Sequence, residues 1–172
     1  MEIATQSFLG RSDLPRGLRN NNPLNLVKTS IPWQGKLPGN DPRFEQFRTL
    51  GYGIRAGLLD LYNDYYQDGQ QTLIDLISEF APPNENDTAA YIQYVANNTG
   101  LMANQKFNAN KLPEIAYYMA VLENGQQFAG YLNINDFKKI YNGLALQRGA
   151  PQAKQSKNIN PFVVGLAYWL LN

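Results

Sequence analysis

The sequence predicts a mainly α-helical (α+β) domain with a small β-hairpin or sheet near its N-terminus. Apolar residues recur at i, i+3, i+4 and i+7 from about residue 52 to residue 144, the period of helices that bury one face. Stretches that alternate apolar with polar residues are confined to residues 24–48. Gly69 and the Pro82-Pro83 pair fall between the periodic segments, where such residues end helices.

Leu24 and Leu26 alternate with polar neighbours, and Phe44 to Arg48 forms a second extended stretch, so a hairpin or sheet is expected between the two. Trp33-Gln34-Gly35 and Pro38-Gly39-Asn40 read as the loops in between. From Tyr52 onward Ile54, Leu58, Leu61, Tyr62 and Tyr65 share one helical face, and Gly69 ends that segment. Leu73, Ile74, Ile77 and Phe80 suggest a second helix, with Thr72 and Asp75 spaced as a capping box at its start. Asp87 or Thr88 caps a third helix carrying Tyr91, Ile92 and Val95. A fourth runs from Pro113 to about Glu123 with Ile115, Met119 and Leu122 on one side, and Phe137, Ile140, Tyr141 and Leu144 mark a fifth.

The chain has 172 residues, 44% of them hydrophobic, which is enough for one domain with a real core. That domain is expected over residues 1–148. Residues 149–172 read as a linker and an apolar C-terminal helix, Phe162 to Leu171, packing on the domain or contacting a partner. The helix is shorter than the roughly 20 residues a membrane span needs, so membrane contact is the less favoured reading. A formal net charge of +1 argues against nucleic acid, whose binders carry a strong basic excess. Cysteine and histidine are both absent, which excludes disulfides, thiolate or imidazole metal sites and imidazole catalysis. Chemistry is left to carboxylates, Tyr and Lys, and no metal or organic cofactor is expected. The N-terminus lacks the charged flank and apolar core of a secretory signal, so synthesis in the cytoplasm is expected.

Two segments stand out. Arg16-Gly17-Leu18-Arg19-Asn20-Asn21-Asn22-Pro23-Leu24-Asn25-Leu26 packs four amides around a Gly and a Pro. Asn tolerates left-handed backbone and bonds nearby backbone groups, so the run predicts a tight polar turn. Its amides, Asn22 and Asn25 foremost, then either contact the hydroxyl and N-acetyl groups of a sugar polymer or simply hold the loop together. The other segment is the apolar stretch from Ile115 to Leu122 that ends in Glu123-Asn124-Gly125. A carboxylate there meets the negative end of a helix dipole and, if partly buried, favours its protonated form, as a glycosidic general acid requires. An exposed Glu in a fraying last turn is the plainer reading. Glu85 and Asp87 compete for a second acidic role or serve a turn and a cap, Asp41 organises the turn at Pro42, and Glu45 faces solvent or a cleft. Trp33, Tyr52, Tyr91, Tyr117 and Tyr118 offer rings for a pyranose face, Trp33 first among them, and Arg19 and Arg55 offer guanidinium groups for a carboxylate.

The Asn-rich run, Trp33-Gln34-Gly35, Asp41 to Phe47, Gly51-Tyr52-Gly53-Ile54-Arg55-Ala56 and Ala81-Pro82-Pro83-Asn84-Glu85-Asn86-Asp87-Thr88 occur in one fixed order. Together they resemble a phage and bacterial family of lysozyme-like proteins, labelled virion structural protein or peptidoglycan hydrolase, over roughly residues 14–148. Two positions depart from the family pattern: Leu24 stands where Gly is common, and Lys36 where an acidic residue is common. The segment around Glu123 is similar to the helix of lysozymes and lytic transglycosylases that ends in a catalytic Glu, and Asn22-Pro23-Leu24-Asn25-Leu26 to a loop that follows that helix. Here the order is reversed, which implies a circularly permuted lysozyme-like fold with residues 16–55 beside Glu123. The resemblance implies cleavage of the MurNAc-GlcNAc β-1,4 bond of peptidoglycan, with Glu123 as general acid and Asn22, Asn25, Trp33, Tyr52, Arg55, Glu85 and Asn124 binding substrate. It also implies action in the periplasm or cell wall, reached by lysis, in a phage particle, or through a contractile injection or secretion apparatus. The alternative it carries is a non-catalytic structural or wall-binding component of such a particle.

Overall fold

The computed structural model describes residues 5–84 and 87–147, so Glu85 and the expected linker and C-terminal helix lie outside the described residues. The order is α1 (Arg16–Arg19), β1 (Lys36–Leu37), β2 (Gln46–Phe47), α2 (Leu50–Tyr66), α3 (Leu73–Phe80), α4 (Thr88–Thr99), α5 (Leu112–Asn124) and α6 (Ile134–Gln147). Short 3-10 turns, Ala109–Lys111 and Gln126–Tyr131, flank α5. The fold is mainly helical with one small antiparallel sheet near the N-terminus, as the periodicity predicts.

Helix α5 is the centre. Leu112, Ile115, Ala116, Met119 and Ala120 are all inaccessible, so it is apolar on most sides and packs against α1, α2, α4 and α6. Ile54, Leu58 and Leu61 of α2 and Phe137, Ile140 and Leu144 of α6 complete the main core. Each such side chain stabilises the fold by roughly 1.5–3 kcal/mol through its burial. The caps follow the sequence: the Thr72 side chain accepts from Asp75 N at 3.1 Å, and Asp87 accepts from Ala90 N at 3.0 Å. Gly100 ends α4 in the left-handed conformation, which costs glycine nothing. Within α3 the expected face is shifted: Leu73, Leu76, Ile77 and Phe80 are buried while Ile74 is exposed. Leu76 thus joins the buried face, on a helix that packs against α4.

The sheet corrects the expected pairing. The β1 strand, 36–37, which lies between the two expected loops, pairs with 46–47, while residues 26–28 join only through the Val27–Phe44 bridge and two backbone bonds, Glu45 N to Leu26 O and Lys28 N to Arg43 O. Asn22 is the reason. Its amide accepts from Leu26 N at 2.9 Å and donates to Leu26 O at 2.9 Å and Glu45 O at 3.0 Å, so a side chain takes part of the pairing at residues 26 and 45. A second, smaller apolar cluster of Leu26, Trp33, Phe47 and Ala56, with Ile31, Tyr52 and Leu59 at its edge, fastens this sheet to α2.

Candidate active site

The Asn-rich run is built by its own amides. Asn21 and Asn25 take positive φ, 52° and 50°, and the turn they make is closed by Asn22 N to Gly17 O and Asn25 N to Asn22 O. Asn20 donates to Asp41 and accepts from Gln46; Asn21 accepts from Phe8 N and donates to Phe47 O and Ser7 Oγ. Two glycines of α2 make room for the run. A Cβ on Gly53 would overlap the Asn21 carbonyl oxygen, and one on Gly57 would overlap the Leu24 side chain. On its far side, Asn124 at the end of α5 donates to Pro23 O at 2.8 Å and to Ala120 O at 2.8 Å. The turn is therefore clamped between α2 and the last turn of α5.

That clamp brings Asn25 to Glu123 across 98 residues of sequence: Nδ2 donates to Oε2 at 2.8 Å. The Tyr91 hydroxyl, from α4, donates to Oε1 at 3.1 Å. Glu123 retains 8% of its surface and Tyr91 3%. Removal from water is the dominant effect on the carboxyl and pushes its pKa up to about 7, against the two donors, which favour the charged form. Its place in the last turn of α5 acts in the same direction as burial. Burial, and then the adjacent Glu123, push the Tyr91 hydroxyl well above its ordinary range, so it is a neutral donor. A buried carboxyl that holds its proton up to neutral pH is able to give that proton to a buried or stacked acceptor.

The remaining expected residues are placed as follows. Asn22 is fully buried and its amide is spent on backbone, so it belongs to the scaffold rather than to a sugar-facing wall; Asn124, 3% exposed, is the clamp just described. Trp33, at 9% exposure, packs in the smaller cluster, with half-buried Tyr52 lying across Gly35. Both rings therefore serve packing on at least one face. Arg55 is half-buried on α2. Tyr117 and Tyr118 are half-buried and meet each other edge-on at 5.0 Å, with Tyr117 also against Phe137 and Tyr118 against Tyr94. Among the described residues, the rival carboxylates are committed elsewhere. Asp41 accepts a bidentate pair from Arg16 and the N–H groups of Arg43 and Phe44, which hold its pKa well below the usual carboxylate range. Asp87 caps α4. Glu45 is inaccessible and paired with Lys36 at 2.7 Å, Lys36 also binding Thr29 O and Ile31 O. Lys36 is thus the counter-ion of a buried acid.

Tyr91 as a partner of Glu123 is the contribution sequence reasoning missed. Its signal was available: a Tyr on the buried Tyr91–Val95 face must bring its hydroxyl to some acceptor. Gly17 carried a weaker one, a glycine inside a helical turn where close approach of another group is its usual purpose.

No family model matches the chain. Over 136 residues it is 40% identical to Protein P5 of Pseudoalteromonas phage PM2, a match spanning 73% of this chain and 85% of that protein.

Proposed function

From a chain that belongs to the family of Protein P5 of Pseudoalteromonas phage PM2, we propose a phage-type protein that acts on the bacterial wall by cleaving the MurNAc-GlcNAc β-1,4 bond, with Glu123 as general acid. One observation carries this: a buried carboxyl at the end of a core helix, held by Asn25 and Tyr91, retains its proton to about pH 7. In the first step Glu123 gives its proton to the bridging oxygen. The bond from that oxygen to the muramic C1 breaks, its electron pair goes to the departing GlcNAc, and positive charge develops at C1. The Glu123 carboxylate then takes a proton from the group that attacks C1, water or the muramic 6-hydroxyl. Among the described residues, Asp41, Glu45 and Asp87 are each committed to structural partners, which favours a single carboxyl serving both steps with the 6-hydroxyl as the attacking group. Such a protein would resemble a permuted lysozyme, and it would reach the wall with a particle, at lysis, or through an injection apparatus.

A second reading has its own support. Both Glu123 oxygens are bonded within the chain and little of the residue reaches solvent, which also suits a buried lock in a non-catalytic particle component. The relative, a phage protein, supports this second reading better than the enzymatic one. Incubation of purified sacculi with the wild type and with Glu123→Gln, followed by mass spectrometry of the released fragments, separates the two. The enzyme reading expects 1,6-anhydro ends from the wild type, a loss of at least about 100-fold in the variant, and wild-type activity that falls as pH rises through about 7. Absence of release by the folded wild type establishes the structural role, and full activity in Glu123→Gln removes Glu123 from the chemistry.

A further inference from the structure

Two amide oxygens near Glu123 are buried without a hydrogen-bond partner: Asn25 Oδ1 and Asn124 Oδ1. Both lie against Gly17. A Cβ built there would sit 2.7 Å from Asn25 Oδ1 and would overlap Asn124 Oδ1, so the two oxygens converge on the glycine Cα. A Cα–H is a weak donor, enough to favour an oxygen beside it over an amide NH₂, which would bring hydrogen against hydrogen. Asn124 has its orientation decided independently, since its nitrogen must face the two carbonyls of Pro23 and Ala120. Its oxygen is thereby forced toward Gly17. With its oxygen beside the Gly17 Cα–H and its nitrogen on the carboxyl, the Asn25 amide suits both of those neighbours.

We propose that Gly17 is a positioning residue that holds the Asn25 amide with its Nδ2–H, rather than its oxygen, on Glu123. This deepens the reading of Glu123 as the reactive group and rests on that reading for its purpose. The orientation matters chemically. An N–H stabilises the ionised carboxyl that remains after a proton has been given away, whereas an amide oxygen in the same place would stabilise only the protonated form. Among the described residues, the groups facing the carboxyl are this amide from the turn and the neutral Tyr91 hydroxyl from α4, so the amide is one of two donors that oppose burial.

The test is the titration of the Glu123 side-chain carboxyl, followed by carbon NMR in the full chain without substrate, in wild type, Gly17→Ala, Asn25→Ala and the double variant. The methyl of Gly17→Ala displaces the Asn25 amide, so the midpoint rises by about one pH unit, the size of one lost hydrogen bond to a carboxylate. Because both substitutions act through the same amide, the double variant matches Asn25→Ala alone. Mere loosening of the turn gives the opposite sign, since water reaching the carboxyl lowers its midpoint. The proposal is overturned by a folded Gly17→Ala with an unchanged or lowered midpoint, or by a double variant whose shift is the sum of the two. Where Gly17→Ala does not fold, the wild type decides: the side-chain NH₂ proton resonances of Asn25 should move with the Glu123 titration, and resonances that stay fixed overturn the proposal. Since no glycan is present, the result is independent of whether sacculi are cut.

Discussion

At the scale of the residue, Glu123 links stability to pH. Its folded pKa of about 7 lies above the ordinary value of 4.5, so between those values the folded state binds a proton that the unfolded chain has released. Stability is therefore highest below about pH 4.5 as far as this group is concerned, declines as pH rises to about 7, and is then level. The gap corresponds to on the order of 3 kcal/mol. Urea unfolding at pH 5 and pH 8 should show that decline in the wild type and lose most of it in Glu123→Gln, whose amide does not titrate. An equal slope in both proteins would place the titrating group elsewhere. Asp41 acts at the acid end with the opposite sign: its carboxyl is depressed by Arg16, so its contribution is present above its ordinary range and is lost as pH falls through the folded value.

At the scale of the element, the decisive contact is helix α2 against the Asn-rich turn. Replacing a glycine inside an exposed helix by alanine stabilises it by up to about 1 kcal/mol. Gly53 reverses that sign, because the added methyl would enter the Asn21 carbonyl, a backbone group that cannot move without opening the turn. Gly53→Ala is expected to destabilise by more than about 3 kcal/mol. The obstacle to a methyl at Gly57 is the end of the Leu24 side chain, which can change rotamer, so Gly57→Ala should cost only about 1–2 kcal/mol. Denaturant midpoints of the two variants check the order. Equal losses would mean that the turn yields as readily as a side chain.

At the scale of the whole molecule, the N-terminal turn and sheet are not a separate lobe. Asn124 to Pro23 and Glu123 to Asn25 tie them to α5, and the smaller cluster ties them to α2. Trp33 sits in that cluster while the helices dominate the far-ultraviolet signal. In a Trp169→Phe background, Trp33 fluorescence and circular dichroism should therefore report one urea midpoint. A lower fluorescence midpoint would show the turn and sheet opening before the helical core.

Read from the sequence alone, the helices and their caps follow from local chemistry. The 3.6 period places Ile54, Leu58 and Leu61 on one face, and Thr72 and Asp87 bond the first free N–H groups within their own turns. The run of asparagines predicts its own left-handed backbone, found at Asn21 and Asn25. Glu123 was legible as a candidate because a charge closing an apolar helix is costly wherever that helix is buried. The tertiary structure decided the rest: which strand pairs with residues 46–47, that Asn22 bonds backbone, that Lys36 answers Glu45, and that Tyr91 and Asn25 meet Glu123. These outcomes depend on partners tens of residues apart, and a side chain's distant neighbours are chosen by how α2 and α5 pack, not by the residues beside it in the chain.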